Sequence, residues 1–270
     1  MKRLTNAIMR IANEELKKRL PEIMREYKKA MRRDSRMDGV GEFDKFIRKV
    51  FEEIAIAISE RIDALEVSNL ISKVSNQARN NSIREWKRAV KNTVGIDILE
   101  DYYKGTFYSD MIQKWVDENV SKIKSIPADT LDAMRTKIFQ GYSSGETITT
   151  LQKEIQKEYT VTKHKAQMLA RDQIGTLNAQ ITEAQQRDAG VSKYVWLTAH
   201  DRRVRPCHAS CDGKVFSWDN PPEIWYETKS KGRIYTGRRC HPSADYCCRC
   251  VAIPVFEYKT INVPMAGDKK

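Results

Sequence analysis

The first 206 residues contain no cysteine, and all six cysteines fall between Cys207 and Cys250. A body without thiols excludes a disulfide framework running the length of the chain. No stretch approaches the roughly 18 consecutive apolar residues of a membrane-spanning helix. The longest apolar run, around Ile54–Ile58, is far shorter. The N-terminus is basic and amphipathic and lacks the apolar core and small-residue cleavage site of a secretory signal, so the expected compartment is a cytoplasm. There is no Gly-rich loop to cradle phosphates, no internal repeat and no low-complexity tract. No general base, nucleophile or carboxylate cluster stands at a recognised catalytic spacing, which argues against an enzyme.

What is abundant is positive charge. Lys and Arg number 48 against 36 Asp and Glu, a net charge of +12 in 270 residues. A surplus of this size favours polyanionic partners such as nucleic acid, an anionic membrane or acidic protein surfaces; the alternative is a solvated basic surface. Residues 1–33 hold eleven Lys/Arg and four Glu, a surplus of seven. Lys17, Lys18, Arg19, Lys28, Lys29, Arg32 and Arg33 stand there as candidate contacts to nucleic acid or a partner. Apolar residues recur through the same segment at helical spacing, from Leu4 and Ile8 to Tyr27 and Met31. The segment therefore reads either as a basic amphipathic arm, whose removal would cost binding more than folding, or as an ordinary solvated helix.

Hydrophobic residues make up 40% and charged residues 31% of the chain, a composition of long solvated helices with limited cores. Pro21 is expected to kink the first helix or to start a second one. A loop over Asp34–Gly41 leads to the strongest helix, Glu42–Val67, with an apolar stripe from Phe43 to Leu65. Ser68–Val94 follows, stopped by Gly95. Thr106–Lys124 is the next helix, Pro127 opens another through Phe139, and Gly141–Gly145 closes it. Thr147 caps a short helix carrying Ile148, Leu151 and Ile155, and Thr162 caps a long one that stops at Gly190. Arg171 and Asp172 on that long helix read as a polar contact with the C-terminal module. Beyond Gly190 the texture changes: Tyr194–Leu197 reads as a strand, Pro, Gly, Cys and aromatics dominate to Cys250, and Val251–Phe256 reads as a last strand with Pro254 near an edge.

Three of the four histidines, His200, His208 and His241, lie in or just before the cysteine-rich stretch. Zinc takes Cys and His ligands as two close pairs brought together by turns. Cys207 or His208 with Cys211 gives the first pair, and Cys240 or His241 with Cys247, Cys248 or Cys250 gives the second. The roughly thirty residues between the two halves are free to loop out. The alternative is a set of reduced cysteines packed as small hydrophobes. Arg202, Arg203 and Arg205 form a basic edge that either grips phosphates or pairs with Asp201 and Asp212.

The run from Trp196 through His208 (W-L-T-A-H-D-R-R-V-R-P-C-H), then Cys211-Asp-Gly-Lys, Pro221-Pro, His241-Pro, Asp245 and Cys248-Arg-Cys250 resembles the C-terminal signature of phage head-morphogenesis proteins, the minor head proteins of the phage Mu F and SPP1 gp7 type. The helix Ala170–Asn178 is similar to the one leading into that signature. The resemblance covers roughly residues 105–256. It implies a low-copy component of the virion head, assembled in the host cytoplasm, that associates with portal and capsid or scaffold proteins and takes part in procapsid assembly, DNA packaging or DNA delivery, with double-stranded DNA as a further partner. Asp201, Arg203, Arg205, His208, Asp212, Gly213, His241, Cys248 and Cys250 fall on the family pattern; Cys207, Cys211, Cys240 and Cys247 look like additions to it, which makes these four the first-choice zinc ligands, with His208, His241, Cys248 and Cys250 as substitutes.

The expected fold is α+β and predominantly α. An extended helical N-terminal body spans 1–125, with its basic arm over 1–33. A helical connector over 126–190 ends in the long helix, a Cys/His-rich module spans 191–258, and a tail follows over 259–270. The expected function is that of a non-catalytic minor head protein. The rival class is a zinc-containing nuclease or other nucleic-acid-processing enzyme built on His200, Asp201, His208 and Asp212. A transferase-like fold is the third, with no nicotinamide-site motif in its support.

Overall fold

The computed structural model describes residues 1–33, 39–257 and 262–265. Most of the expected loop before the second helix, the Arg33 side chain and all of the expected tail except 262–265 fall outside the described residues. The protein is α+β and predominantly α. Helices α1 (Lys2–Arg33), α2 (Gly39–Asp63) and α3 (Val67–Val94), a short 3-10 helix (Glu100–Lys104), α4 (Thr106–Ser143) and α5 (Ile148–Asp188) precede the strands. These helices and the strands gather into two compact units, each assembled from two stretches of chain. Unit 1 comprises Met1–Ile71 and Asp117–Ala170; unit 2 comprises Ser72–Val116 and Arg171–Lys270.

Unit 1 is helical. The 3.6-residue stripes of its helices meet in a core of Ile8, Met9, Ile23 and Tyr27 from α1, Phe43, Ile47, Ile54 and Ile58 from α2, Met134, Ile138 and Tyr142 from α4, and Leu151 from α5. Phe43 stacks on Tyr142 with ring centroids 4.7 Å apart, and Tyr27 meets both rings edge-on at 5.9 and 6.0 Å. The Tyr27 hydroxyl donates to the Glu146 carbonyl at 3.0 Å. The apolar side of α1 is thus built into unit 1. Its basic side is exposed at Lys17, Lys18, Lys28, Lys29 and Arg32, whereas Arg19 is half-buried. Arg19 bridges Glu22 and Glu53, Lys18 holds Glu15 and Lys29 holds Glu26.

Three expected helix boundaries are absent. α1 runs through Pro21, which is exposed, so its ring meets solvent while Leu16 and Ile23 on either side are buried. α4 runs through Pro127. The lost N–H and ring clash of an interior proline cost about 3 kcal/mol, which continued burial of Ile123, Ile126, Leu131 and Met134 offsets. α5 is continuous from Ile148, because the Thr162 hydroxyl donates back to the carbonyls of Glu158 and Tyr159 (2.9 and 3.0 Å) instead of capping a new start. The cap at Thr147 holds: its hydroxyl accepts the Thr150 N–H at 3.2 Å.

Unit 2 carries two cores. The first packs Ile83, Trp86, Val90, Ile98, Tyr103, Tyr108, Ala189, Val191 and Val263. Trp86 donates to the Tyr103 hydroxyl at 2.8 Å, and the hydroxyls of Tyr102 and Tyr108 both donate to Asp188 at 3.0 Å. Burial raises Tyr103 and Tyr108 well above the ordinary tyrosine value, so both remain hydrogen-bond donors. α5 ends at the left-handed Gly190 (φ +79°), where a Cβ would stand 2.7 Å from the Asn262 side chain.

The chain then enters β1 (Lys193–Leu197), turns through α6 (Pro206–Ala209) and continues as β2 (Val215–Ser217), β3 (Glu223–Thr228), β4 (Gly232–Arg239) and β5 (Val251–Val255). β1 is the centre of an antiparallel sheet in the order β2-β1-β5, with Val195 opposite both Val215 and Ile253. β3 and β4 form a separate two-stranded ribbon. The stretch expected to loop out between the two cysteine groups is therefore largely that ribbon. Its strands meet at Gly232, opposite Thr228, after the Lys229-Ser-Lys231 turn.

Candidate functional site

The second core of unit 2 gathers Tyr194, Trp196, Cys207, Cys211, Trp218, Ile224, Trp225, Cys240 and Cys250, with Cys248 packed against it. Alternation along β1 puts Tyr194 and Trp196 on the face that this core covers. Proline at the first position of α6 presets its turn, and Cys207 and His208 are buried on it.

His208 is the hub. Its Nδ1 lies 3.5 Å from the Cys248 sulfur and 3.8 Å from the Cys250 sulfur. Its Nε2 lies 3.4 Å from an oxygen of buried Asp245. Asp245 also accepts from Arg205 at 3.0 Å and from Arg238. The Trp196 ring covers the imidazole with centroids 5.3 Å apart. The hydrogen bond from Cys250, then the one with His208, draws Cys248 toward the thiolate, whereas Cys250 is held as a thiol. Burial raises Cys211 and pushes Cys240 up to about 12.

All six cysteines are free thiols. The first-choice ligands are not brought together as a donor group. Cys207, Cys211 and Cys240 are buried among the aromatics, and the Cys211 thiol donates to the Cys207 carbonyl at 3.3 Å. Cys247 is half-buried, and its backbone N–H donates to Asp172 at 2.6 Å. Among the described residues, the group of three or more donors with converging ligand atoms is His208, Cys248 and Cys250, three of the four substitutes. The physical reason is directional. Neighbours on a turn point about 100° apart, so packing Cys207 and Cys211 into the apolar core sends His208 elsewhere. The fourth substitute, His241, sits against Tyr194 and Trp218, and its Nδ1 is 3.0 Å from the Tyr194 hydroxyl. Burial lowers its pKa.

The basic edge divides. Arg205 is tied to Asp245 and to the Tyr246 carbonyl. Arg203 stands 3.7 Å from Asp201, which Arg249 grips with two bonds of 2.6 and 2.7 Å; these charges hold the Asp201 carboxyl well below the usual range. Arg202 is exposed. Asp212 pairs with none of the three: it accepts from the Thr198 N–H and hydroxyl and from the His200 ring at 2.8 to 2.9 Å. His200 and Asp212 thus brace the turn after β1. Asp172, expected as a polar contact, ties α5 to the cysteine knuckle through Cys247.

Sequence reasoning missed the centrality of Asp245, the role of Gln186 and the ribbon. Gln186 donates to the Ala252 carbonyl at 3.0 Å and accepts from the Trp218 indole at 3.1 Å, stapling α5 to the sheet. The ribbon had a readable signal in the β-branched and aromatic residues of Glu223–Thr228 and the Lys-Ser-Lys-Gly turn. It carries exposed Tyr226 and Tyr235, with Arg233 lying over Trp225 at 4.3 Å.

Fold and site define a helical protein closed by a small antiparallel module whose buried hub is built from histidine, cysteine and aspartate. Residues 132–253, from the second half of α4 into β5, match the family described as Phage Mu protein F like protein, which supports the resemblance to phage head-morphogenesis proteins that the signature carries. An uncharacterized protein of Haemophilus influenzae is 30% identical over 217 residues, covering 77% of this chain and 45% of that protein. The chain thus spans under half the length of that relative. No solved structure matches. Among the described residues no helix is long and apolar enough to cross a membrane.

Proposed function

We propose that this chain is a minor head protein that joins portal and capsid or scaffold proteins during phage head assembly and holds double-stranded DNA as it is packaged or delivered. The carrying observation is the family match over residues 132–253, which takes in the helix, sheet and hub of the C-terminal module. The geometry suits a binding part. The polar residues that fall on the family signature are engaged in bracing contacts: Asp201 with Arg249, Asp212 with His200, and Asp245 with Arg205. The place of action is the virion head, reached from the host cytoplasm. Co-expression with a portal ring tests the reading. The chain is expected to co-purify with the ring at a few copies per particle, and a chain that elutes free of the ring and of capsid protein overturns it.

DNA binding gives a separate expectation. The exposed cations of α1, together with Arg202 and Arg203, offer phosphate contacts without base readout. With about six such contacts, affinity falls roughly a thousandfold between about 50 and 200 mM salt as counterions are released. Replacing Lys17 and Lys28 by Gln lowers the salt slope by about one unit for each phosphate no longer neutralised. Fluorescence anisotropy with a duplex of arbitrary sequence reads this, and a salt-insensitive affinity removes DNA from the proposal. The rival nuclease reading rests on the exposed His200–Asp212 pair. It predicts plasmid nicking with added Mg²⁺ or Zn²⁺; binding without cleavage supports the structural role.

A further inference from the structure

We propose that His208, Cys248 and Cys250 form a zinc-class metal site that ties α6 to the segment entering β5. The three donor atoms all lie within 4.8 Å of one another. Zinc–sulfur bonds near 2.3 Å and zinc–nitrogen bonds near 2.0 Å, at tetrahedral angles, separate nitrogen from sulfur by about 3.5 Å. The His208 Nδ1 stands 3.5 and 3.8 Å from the two sulfurs. The two nitrogen–sulfur edges of a metal tetrahedron are thus close to the length that zinc requires. Two thiolates and one imidazole form a soft, borderline donor set that selects zinc over magnesium or calcium.

The surroundings supply what such a site needs beyond its ligands. With the ion on Nδ1, the imidazole proton sits on Nε2, a buried atom that has no formed hydrogen bond and lies 3.4 Å from Asp245. That is the carboxylate–histidine–metal arrangement that fixes ring orientation and ligand basicity. Arg205 and Arg238 hold the carboxylate in turn. The Cys250 N–H points at the Cys248 sulfur at 3.4 Å, and the Ser243 hydroxyl pins the Cys250 carbonyl at 2.6 Å. Ser243 and Cys247 both take left-handed conformations (φ 62° and 52°) in this knuckle, backbone strain that the surrounding contacts must offset.

Charge also balances. On binding, any protons still held by the two sulfurs leave to solvent, and one divalent ion with two thiolates and a neutral imidazole sums to zero. The buried complex therefore leaves no uncompensated charge. Among the described residues no fourth His, Cys, Asp or Glu joins the group, so the fourth position is left to water. The site goes beyond the assembly role and stands or falls separately from it, because its readout is the metal itself.

The experiment uses the full chain, purified under reducing conditions from zinc-supplemented cells. About one zinc per chain is expected by elemental analysis, the stoichiometry of a single tetrahedral site. After chelation, Co²⁺ titration should produce the thiolate charge-transfer and tetrahedral d–d bands, a measurement that needs no variant and so survives any folding failure. Cys248→Ser and His208→Ala should abolish both signals, and Cys247→Ser should retain them. Asp245→Asn should weaken zinc about 10- to 100-fold. Absence of zinc and of the cobalt bands overturns the site. So does loss of metal in Cys240→Ser with retention in Cys248→Ser, or recovery of Cys248 and Cys250 as a disulfide in metal-free protein.

Discussion

Removing residues 1–33 is expected to unfold unit 1, not merely to strip a folded protein of a binding arm. Ile8, Met9, Ile23 and Tyr27 of α1 are essentially inaccessible to solvent, and Tyr27 sits in the ring cluster with Phe43 and Tyr142. Truncating one buried aliphatic residue costs about 2–5 kcal/mol and one aromatic about 3–5 kcal/mol. Losing four such side chains together costs about 9–20 kcal/mol, as much as or more than the roughly 5–15 kcal/mol that holds a typical domain. The polar flank points the same way: Arg61 of α2 grips Glu14 and Glu15 of α1 with bonds of 2.7 and 2.5 Å. Circular dichroism of the truncated chain should show more helix lost than the deleted segment itself contained. The single change Tyr27→Ala should lower stability by about 3 kcal/mol, whereas Lys28→Gln on the exposed side should stay within about 0.5 kcal/mol. A truncated chain that keeps its remaining helix content and its melting temperature would show the arm reading to be right after all.

That result would separate two readings that the sequence could not. Periodicity reports which side of a helix is apolar, but not whether a partner or the protein's own core covers it. The same limit runs through the rest of the molecule. The stripes of α2 and of α5 were legible because burial repeats every 3.6 residues, and the stops at Gly95 and Gly190 were legible because a left-handed turn needs glycine. Pro127 and Thr162 misled because breakers and caps act locally, while burial across α4 and α5 is decided by neighbours far along the chain. In the hub, the crowding of thiols and imidazoles was plain, but the choice among them was not. Cys207 and His208 are adjacent in sequence; one joins the apolar core and the other turns to Cys248, Cys250 and Asp245. Spacing counts residues, and only the turn of α6 and the strand pairing of β1 give them direction. Asp245 was visible in the family-like pattern, yet nothing in one dimension shows that Arg205, forty residues earlier, and Arg238 converge on it.

Trp196→Ala should be among the most damaging single changes in unit 2, because the hub has no wall without it. Trp196 is 0% exposed on the central strand of its sheet, where its N–H donates to the Lys214 carbonyl at 2.9 Å and its carbonyl accepts from Gly213 at 2.8 Å. Its ring covers the His208 imidazole and meets Phe216 edge-on at 6.1 Å. Truncation to alanine removes that packing at a cost of about 3–5 kcal/mol and leaves a cavity that flanking strands cannot close. Trp196→Phe, which keeps most of the volume, should cost about half as much. On the opposite side of the same sheet, Val215 and Val251 are exposed, and their replacement by alanine should change stability by about 0.5 kcal/mol or less. Urea unfolding followed by near-ultraviolet dichroism reads the contrast through the midpoint. Equal midpoints for Trp196→Ala and Val215→Ala would mean that the imidazole and thiols are not held by packing. The preorganisation on which a metal site depends would then have to come from the ion itself.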